Sequence, residues 1–258
     1  MPTPFDLMVA PNGARLGKAD HPALPISTSE LAETARACAA AGANAIHLHV
    51  RNENGAHSLD PELYRAAMTE ISALCDIRLQ ISTEAVGIFE VAEQIACVAG
   101  ARAPEASIAL REIERDPENL GDIYRLAERI GTGVQHILYS DQDLIRLLAH
   151  MEDGVIPAQM NRVLFVLGRY VPGQRSTPEE LDPFLAAMGQ AELHWSVCAF
   201  GPAEQDCLLA ALRKGGNARI GFENNRIAPD GRPFRDNAEA VQTFVEAAAR
   251  EGFIPRKS

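Results

Sequence analysis

Two histidines separated by one residue, His47 and His49, are the first side chains of this sequence that could bind a metal ion. They lie in the apolar segment 45–51, whose composition is typical of a buried β-strand. Because side chains alternate along a strand, both imidazoles and the guanidinium of Arg51 are predicted on one face. Two imidazoles on one face supply two nitrogen ligands for a metal ion. Their spacing is equally compatible with two hydrogen-bonded histidines of a protein core.

A carboxylate that could complete the site lies near the other end of the chain, in segment 219–223 (Arg-Ile-Gly-Phe-Glu). Glu223 ends a predicted strand and shares a face of it with Arg219. A buried guanidinium requires an anion, which favours a functional pair over a solvated acid at a strand end. Two imidazoles and one carboxylate leave coordination positions open, as catalytic metal sites do. Zn²⁺ suits these ligands, and Fe²⁺ is also compatible with them.

Short apolar segments alternate with amphipathic helices along the chain, and this pattern predicts a parallel β-sheet with a helix after each strand. The strands are predicted at residues 5–10, 45–51, 78–83, 105–110, 134–139, 162–167, 193–199 and 218–222. We therefore expect an α/β fold, a single-domain (β/α)8 TIM barrel over residues 1–258. A doubly wound sheet is the alternative, but segment 12–14 (Asn-Gly-Ala) does not provide the glycine-rich first turn of that fold.

The barrel prediction brings the three candidate metal ligands together. Catalytic side chains of such barrels lie at the carboxyl ends of the strands, and closure places the first strand between the second and the eighth. His47, His49 and Glu223 then meet across a gap of roughly 10 Å. Other polar side chains are predicted at the same mouth, where hydroxyls could bind a carboxylate, although Ser and Thr are also common turn residues. They are Ser82, Thr83, Glu84, Ser107, Gln135 and Arg169.

The formal net charge of -11 argues against nonspecific binding to nucleic acid or to an anionic membrane surface. No apolar run reaches the length of a membrane span, and residues 1–4 (Met-Pro-Thr-Pro) lack the features of a signal peptide. The five cysteines are widely spaced and form no CxxC pair, as expected of reduced thiols. We therefore expect a cytoplasmic protein without nucleic-acid or membrane partners.

Five separate motifs, in the same order along nearly the whole chain, resemble those of the β-keto acid cleavage enzymes. The resemblance implies a zinc-dependent barrel that is usually a homotetramer. It also implies a reaction in which a β-keto acid condenses with acetyl-CoA and the adduct is cleaved to acetoacetate and a new CoA thioester. The motifs are Asn12-Gly13-Ala14, His47-Leu48-His49-Val50-Arg51, Gln80-Ile81-Ser82-Thr83, Phe165-Val166-Leu167-Gly168 and Arg219-Ile220-Gly221-Phe222-Glu223-Asn224-Asn225.

The resemblance also assigns roles residue by residue. It makes His47, His49 and Glu223 the metal ligands, and Arg219 the arginine of the reactive centre. The contacts expected with the substrate are Asn12, Ser82, Thr83 and Ser107, of which Ser82 and Ser107 match positions that hold its keto-acid end. Separately from these family assignments, we expect the CoA moiety to enter over the barrel rim, with Arg169 and Lys214 as the nearest phosphate contacts.

Three departures from the family pattern leave the catalytic base and the substrate open. Asn224 stands at the catalytic position of the family's proposed proton acceptor, an aspartate, and an amide cannot take that role. Glu84 replaces the first of two glycines. Arg15, expected to contact the substrate, occupies the place of an acid in the member that acts on an amino-substituted keto acid.

Several hypotheses follow from these departures. In the first, Glu84 is the base or the counter-ion of Arg15, and the substrate carries an anionic or polar tail. In the second, the chain is a divergent member with altered or no lyase activity. Two other classes also stay open: a metal-dependent aldolase or hydrolase that needs no CoA, and a barrel that binds ligands without catalysis.

Overall fold

The structure is a computed structural model that describes residues 1–169, 173 and 175–257. Its strands are β1 (Thr3–Phe5), β2 (Leu7–Val9), β3 (Ala45–Leu48), β4 (Val50–Arg51), β5 (His57–Ser58), β6 (Arg78–Ser82), β7 (Glu105–Ala109), β8 (Gly133–Leu138), β9 (Arg162–Leu167), β10 (His194–Ala199), β11 (Asn217–Ile220) and β12 (Phe253–Pro255). Its helices are α1 (Thr28–Ala41), α2 (Pro61–Leu74), α3 (Val91–Ala101), α4 (Leu110–Ile113), α5 (Leu120–Ile130), α6 (Asp141–Glu152), α7 (Leu181–Met188, after a 3₁₀ turn at Pro178–Glu180), α8 (Glu204–Arg213) and α9 (Asn237–Arg250).

Eight of these strands close into a parallel barrel, which confirms the predicted (β/α)8 fold. Their order around the barrel is β2, β3, β6, β7, β8, β9, β10 and β11, after which β11 pairs with β2. Two short two-stranded sheets, β1–β12 and β4–β5, lie outside the barrel. Apolar side chains of the strands and of the surrounding helices form one continuous core between the two layers. Within the residues described, no helix has the length and apolar content needed to cross a membrane.

Helix α1 illustrates how the sequence fixes the helical layer. Ser27 and Glu30 form a capping box, in which each side chain accepts a hydrogen bond from the other residue's backbone N–H. The helix ends at Gly42, whose φ of +114° is open to glycine and strained for other residues. Its buried residues recur on the face that packs against the core, as an amphipathic helix requires. They are Leu31, Ala32, Ala35 and Cys38.

The first barrel strand is shorter than predicted because the chain enters the barrel only after Asp6. Phe5 belongs to β1, which pairs with β12 outside the barrel. The predicted segment 5–10 therefore contributes only Leu7–Val9 to the barrel wall. This entry point leaves the Asp6 carboxylate at the amino-terminal end of the barrel.

The predicted histidine strand 45–51 is also interrupted, in this case at His49. Barrel strand β3 ends before this residue, and β4 pairs with β5 in a hairpin instead of with a barrel strand. The guanidinium of Arg51 consequently donates hydrogen bonds to the carbonyls of Gly13, Leu16 and Gly55. Arg51 thus anchors the loop after β2 instead of following the two histidines into the mouth.

The Asp6 carboxylate connects the amino-terminal ends of several barrel strands. It accepts a hydrogen bond from Asn44 at 3.1 Å, and it lies 3.2 Å from Nε2 of His194 and 3.3 Å from Nη2 of Arg78. Asn44 precedes β3, whereas His194 and Arg78 begin β10 and β6. The hydrogen bond from His194 is the main cause that lowers the pKa of Asp6 to about 2, against the opposing effect of burial.

We predict that Asp6→Asn lowers the free energy of unfolding at pH 7 by about 2 kcal/mol, because the folded state favours the ionised carboxyl. This stabilisation is complete above the ordinary pKa of 3.8 and is lost as the pH falls towards 2. Wild-type stability should therefore decrease over this pH range, and that of the variant should decrease less. Urea unfolding at pH 7 and pH 3 measures both, with the exposed Asp230→Asn as the control. An equal pH dependence in wild type and Asp6→Asn would contradict the prediction.

Candidate metal centre and active site

Three candidate metal ligands from distant parts of the chain converge at the carboxyl-terminal mouth of the barrel. His47 lies in β3, His49 follows that strand, and Glu223 follows β11. The two histidine Nε2 atoms are 3.1 Å apart, and Oε2 of Glu223 lies 3.8 Å from that of His47 and 3.5 Å from that of His49. One ligand atom from each residue lies within 4.8 Å of the other two. The structure thus brings together the three residues predicted as metal ligands, which we call the triad.

The charge states of the triad suit a metal ion. Burial lowers the pKa of His47 to about 4 and the pKa of His49 well below its ordinary value. Both imidazoles are therefore neutral at pH 7, which is the form that ligates metals. Burial acts to raise the pKa of Glu223, but the positive charge of Arg219 outweighs it and lowers that pKa. Oε2 of Glu223 is buried and has no hydrogen-bond partner among the described residues, as expected of a ligand oxygen.

Two adjoining cavities occupy the mouth. The floor cavity, of about 330 Å³, is lined by the triad together with Ser82 and Arg219. The outer cavity, of about 500 Å³, is lined by the loop after β2 and by Arg226. Both cavities share the side chains of Glu84, Arg169 and Glu223. The two cavities therefore adjoin at these three side chains.

Gln80 on β6 orients one imidazole of the triad, although the sequence carried no predicted role for it. Its Oε1 lies 2.8 Å from Nδ1 of His47, and its Nε2 donates to Oε1 of Gln135 at 3.0 Å. When Gln80 accepts the Nδ1 proton, the lone pair of His47 is on Nε2 and faces the centre of the triad. The signal in the sequence was a polar amide inside an apolar strand. The structure shows that this amide is buried and lies opposite His47 in the register of β3 and β6.

We predict that Gln80→Ala weakens metal binding by about 10- to 100-fold, because an unsupported His47 loses its fixed tautomer and ring orientation. A competition titration with a chromophoric chelator measures the affinity. Gln142→Ala on α6, whose side chain is exposed, is the matched control. A folded Gln80→Ala protein with wild-type metal affinity would show that the hydrogen bond has no such role.

The turn after β11 directs Glu223 into the mouth. The strand ends before Gly221, which takes a φ of +138°, so Arg219 and Glu223 are not alternate residues of one strand as predicted. A Cβ at Gly221 would lie 2.4 Å from the carbonyl oxygen of Ala10. A Cβ at Gly13 would lie 2.7 Å from Cγ of Glu223. Both positions therefore require glycine for the backbone and the carboxylate to approach this closely.

Arg219 is a buried cation beside the triad, with 3% of its surface exposed. Its Nη2 donates to Oε1 of Glu223 at 3.0 Å and lies 3.4 Å from Sγ of Cys198. Its Nε and Nη1 are buried and have no hydrogen-bond partner in the part of the chain that is described. The guanidinium thus positions one metal ligand and keeps further N–H donors for an anion in the floor cavity.

Glu84 faces the triad from the loop after β6. Its Oε2 lies 4.0 Å from Nε2 of His49, and its Oε1 lies 3.6 Å from Nη2 of Arg169. Burial, together with the negative charge of Glu223, raises the pKa of Glu84 to about 7. Its backbone is fixed because its carbonyl accepts a hydrogen bond of 2.8 Å from Nε2 of His57. A carboxylate held in this position can pair with a cation or accept a proton from a ligand.

The three predicted hydroxyl contacts differ in their surroundings. Ser82 lines the floor cavity. Ser107 is its partner in the register of β6 and β7, and its buried hydroxyl has no hydrogen-bond partner among the residues described, but it does not line that cavity. Thr83 donates its hydroxyl proton to the carbonyl of Ser107 at 2.8 Å. Ser82 is therefore the hydroxyl within reach of a ligand, whereas Thr83 connects two strands.

Two asparagines were predicted at the site. Nδ2 of Asn12 donates to the carbonyls of His49 at 2.9 Å and Pro25 at 3.1 Å, so it positions the backbone of a triad residue. Asn12 also lines the outer cavity. Asn224, expected at the catalytic position, is buried, and both polar atoms of its side chain lack a hydrogen-bond partner within the described residues. Asn224 lines neither cavity.

A carboxyl group without a predicted role lies beneath the same turn. Glu204 at the start of α8 is buried, with Oε1 3.4 Å from the amide nitrogen of Gly221 and Oε2 3.5 Å from Nδ2 of Asn225. Burial raises its pKa well above the ordinary value, against the hydrogen bonds that it accepts from Gly221 and Asn225. In the sequence it resembles the acidic residues that commonly occupy first helical turns.

The two residues predicted to contact CoA phosphates lie in different places. Arg169 follows β9 at the mouth, where its guanidinium lies over the ring of Phe200 at 4.8 Å and pairs with Glu84. Lys214 follows the last turn of α8, and its Nζ lies 3.2 Å from Oδ1 of Asp182. Because α8 leads to the amino-terminal end of β11, Lys214 lies on the side of the barrel opposite the mouth. The structure does not bring Lys214 to the site.

A closed (β/α)8 barrel with two neutral imidazoles, an ionised carboxylate and a buried arginine at its mouth defines a class of protein, the barrels with a candidate metal-dependent active site. The sequence narrows this class. The sequence model of the beta-keto acid cleavage enzyme family matches residues 5–256, so the chain belongs to that family. This match confirms the family resemblance of the five motifs.

Curated relatives match nearly the full chain. It is 28% identical over 251 residues to the 3-keto-5-aminohexanoate cleavage enzyme of Acetoanaerobium sticklandii, covering 93% of this chain and 90% of that protein. It is 27% identical over 272 residues to the 3-dehydrocarnitine:acetyl-CoA trimethylamine transferase of Rhizobium meliloti, covering 93% and 88%. Among solved structures, the apo structure of ObcA is similar with a TM-score of 0.72 at 16% identity, a likeness of fold alone. The match covers 91% of this chain and 64% of ObcA, less than two thirds of that longer chain.

Proposed function

We propose that this chain is a single-domain, metal-dependent β-keto acid cleavage enzyme that uses acetyl-CoA as co-substrate and yields acetoacetate and a new acyl-CoA thioester. The observation that carries the proposal is the triad of His47, His49 and Glu223, within 4.8 Å of one another at the mouth of a barrel of this family. The names of full-length relatives, which include a keto-acid cleavage enzyme and an acetyl-CoA-dependent transferase, support it. Zn²⁺ is the proposed ion, and the same donors suit Fe²⁺.

The reaction needs a group that stabilises negative charge on the keto oxygen. A metal ion held by the triad supplies Lewis-acid chemistry of this kind. The unpaired N–H donors of Arg219 would bind the carboxylate of the β-keto acid in the floor cavity, and the hydroxyl of Ser82 would fix its orientation. With these contacts, the carbon between the carboxylate and the keto group would lie beside Glu84, which also lines the floor cavity.

We assign Glu84 the role of the base that removes a proton from this carbon. The carbanion then attacks the carbonyl carbon of acetyl-CoA and expels the CoA thiolate. The thiolate attacks the original keto carbon, and the bond between that carbon and the acylated carbon breaks. The electron pair of this bond becomes a carbanion that takes up a proton, giving acetoacetate, while the remaining acyl group leaves as the new CoA thioester.

The Glu84→Gln variant tests this assignment. We expect kcat to fall by about 10²- to 10³-fold, because an amide cannot take the proton and general-base catalysis contributes of this order. Metal content should stay at the wild-type level, since Glu84 is not one of the triad. Asp141→Asn, at the start of α6 where the carboxylate contacts the exposed Gln142, is the control. Full turnover by Glu84→Gln would exclude Glu84 as the base.

A coupled assay tests the proposed function as a whole. The metal-loaded protein is incubated with acetyl-CoA and a panel of β-keto acids, and acetoacetate and the acyl-CoA products are measured by mass spectrometry. We expect both products in equal amounts and none without acetyl-CoA. Turnover without any thioester would point to an aldolase or hydrolase. Ligand binding without product from any keto acid would point to a binding protein.

The assembly and location of the protein belong to the same proposal. The family resemblance supports a homotetramer, and the five free, widely spaced cysteines support a cytoplasmic enzyme. Size-exclusion chromatography with light scattering measures the first, with an expected mass of about four times the 27.9 kDa chain. A monomeric mass in an active preparation would contradict the expected tetramer and leave the chemistry unaffected.

A further inference from the structure

We propose that the outer cavity is an oxyanion-binding subsite for the far end of the substrate, so that the preferred β-keto acid is a dicarboxylate. This inference rests on the proposed function and specifies its substrate class. It is carried by the arginines that line the outer cavity and by the three side chains that this cavity shares with the floor cavity.

Three arginines line the outer cavity: Arg15, Arg169 and Arg226. Arg169 pairs with Glu84 at 3.6 Å. The guanidinium groups of Arg15 and Arg226 make no hydrogen bond or ion pair with any residue that the structure describes. The charge of Arg15 acts on the carboxylates of Glu84 and Glu112 without direct contact. Two cations that face a cavity without a directly bonded protein carboxylate are available to an anionic ligand, and guanidinium groups bind carboxylates with two parallel hydrogen bonds.

The charges around both cavities favour a ligand with two negative charges. Four arginines, the three of the outer cavity and Arg219, face two carboxylates, Glu84 and Glu223, which leaves two positive charges in excess. This local excess occurs in a chain with a formal net charge of -11, so it is a feature of the mouth and not of the whole surface.

The distance between the subsite and the triad favours the keto acid over the thioester as the source of the anion. One oxygen of the Glu84 carboxylate lies 4.0 Å from Nε2 of His49, and the other lies 3.6 Å from Nη2 of Arg169. Arg169 lines the outer cavity, so only the Glu84 carboxylate separates it from the triad. A short keto acid with its keto group at the triad can reach the arginines. The phosphates of CoA, by contrast, are separated from its sulfur by the whole pantetheine arm.

In this arrangement the two ends of the substrate occupy different cavities. The carboxylate next to the keto group binds the free N–H donors of Arg219 in the floor cavity. The distal carboxylate binds Arg15 and Arg226 in the outer cavity. A substrate that ends in an ammonium group would meet the same arginines with unfavourable charge.

Steady-state kinetics at saturating acetyl-CoA test the subsite with three six-carbon substrates: a straight-chain 3-oxo dicarboxylic acid, the 3-oxo monocarboxylic acid and the 6-amino-3-oxo acid. We expect kcat/KM to be highest for the dicarboxylic acid, by about tenfold or more, which is the effect of one charge-assisted hydrogen-bonded contact. Arg226→Gln and Arg15→Gln should each raise KM for the dicarboxylic acid by about tenfold, whereas KM for the monocarboxylic acid should not change. The control is Arg36→Gln on the exposed face of α1.

The same variants show whether the anion that binds the outer cavity is the distal carboxylate of the keto acid or a phosphate of CoA. Unchanged KM for acetyl-CoA supports the keto-acid assignment. An increased KM for acetyl-CoA with unchanged KM for the dicarboxylic acid would overturn it in favour of the CoA phosphates. Equal kcat/KM for the dicarboxylic and monocarboxylic acids would also overturn it.

Binding without turnover distinguishes this inference from the proposed function. Titration calorimetry of the metal-loaded protein compares adipate with hexanoate, neither of which can be cleaved. Tighter binding of adipate that Arg226→Gln weakens supports the subsite even if no keto acid is turned over. Cleavage of the monocarboxylic acid by a protein that binds adipate and hexanoate equally would overturn the subsite and leave the proposed function standing.

Discussion

The His49→Ala variant is expected to lose its bound metal and to cleave β-keto acids at least about 10³-fold more slowly than the wild type. Nε2 of His49 lies within 3.5 Å of both other ligand atoms of the triad, so it is one of three atoms that can bind the same ion. The variant keeps only two of these ligands, which bind the ion too weakly to retain it during dialysis. Without the ion, the enzyme loses several kcal/mol of charge stabilisation at the keto oxygen. Elemental analysis of dialysed protein and the acetoacetate assay measure the two losses.

A second histidine provides the control for this prediction. His150 on α6 is half-buried, and its Nε2 lies 3.1 Å from Oε1 of Glu114, far from the mouth in the chain topology. His150→Ala should keep one equivalent of metal and the wild-type rate. A His49→Ala protein that retains both would mean that the triad is not the metal centre.

The Arg219→Met variant is expected to lose about 3–5 kcal/mol of unfolding free energy in the metal-free state, because it leaves Glu223 as a buried charge without its cation. The same change should abolish turnover, since it also removes the N–H donors that would bind the substrate carboxylate. Urea unfolding of chelator-treated protein measures the stability. Arg125→Met, which breaks an exposed pair with Asp122, should cost less than about 1 kcal/mol.

A double variant separates the two effects of Arg219. Arg219→Met combined with Glu223→Gln removes both charges, so it should recover most of the lost stability while activity stays absent. Recovery of stability without activity would show that the Arg219–Glu223 pair serves function and does not add to the stability of the protein. A single Arg219→Met variant with wild-type stability would contradict the burial of the ion pair.

The barrel was predictable because each βα unit repeats the same hydrophobic pattern, but several strand ends were misplaced and the outer strands β5 and β12 were not predicted. Each of the segments 5–10 and 45–51 includes residues outside the barrel, Phe5 before the chain enters it and Val50 after the chain has left it. The local pattern does not mark either boundary, since β1 and β4 are also strands. The boundaries depend on pairing with β12 and β5, a long-range and a hairpin contact that the apolar pattern does not encode.

The grouping of the triad was predictable because the repeated βα pattern predicts a closed barrel, and because the spacing of His47 and His49 places both imidazoles on one face. The route that brings Glu223 to it was not, because it depends on a positive φ at Gly221 and not on strand alternation. The roles of Gln80 and Glu204 were also not predicted from the sequence. Their roles follow from what surrounds them after folding, the register of two strands in one case and complete burial in the other.

The central claim is that His47, His49 and Glu223 bind one catalytic metal ion. Its most direct test is a crystal structure of the protein incubated with excess Zn²⁺, with anomalous diffraction data collected at the zinc absorption edge. We predict one strong anomalous peak at the mouth of the barrel, at about 2.0–2.2 Å from Nε2 of both histidines and from a carboxylate oxygen of Glu223. A triad without an anomalous peak under these conditions would contradict the claim.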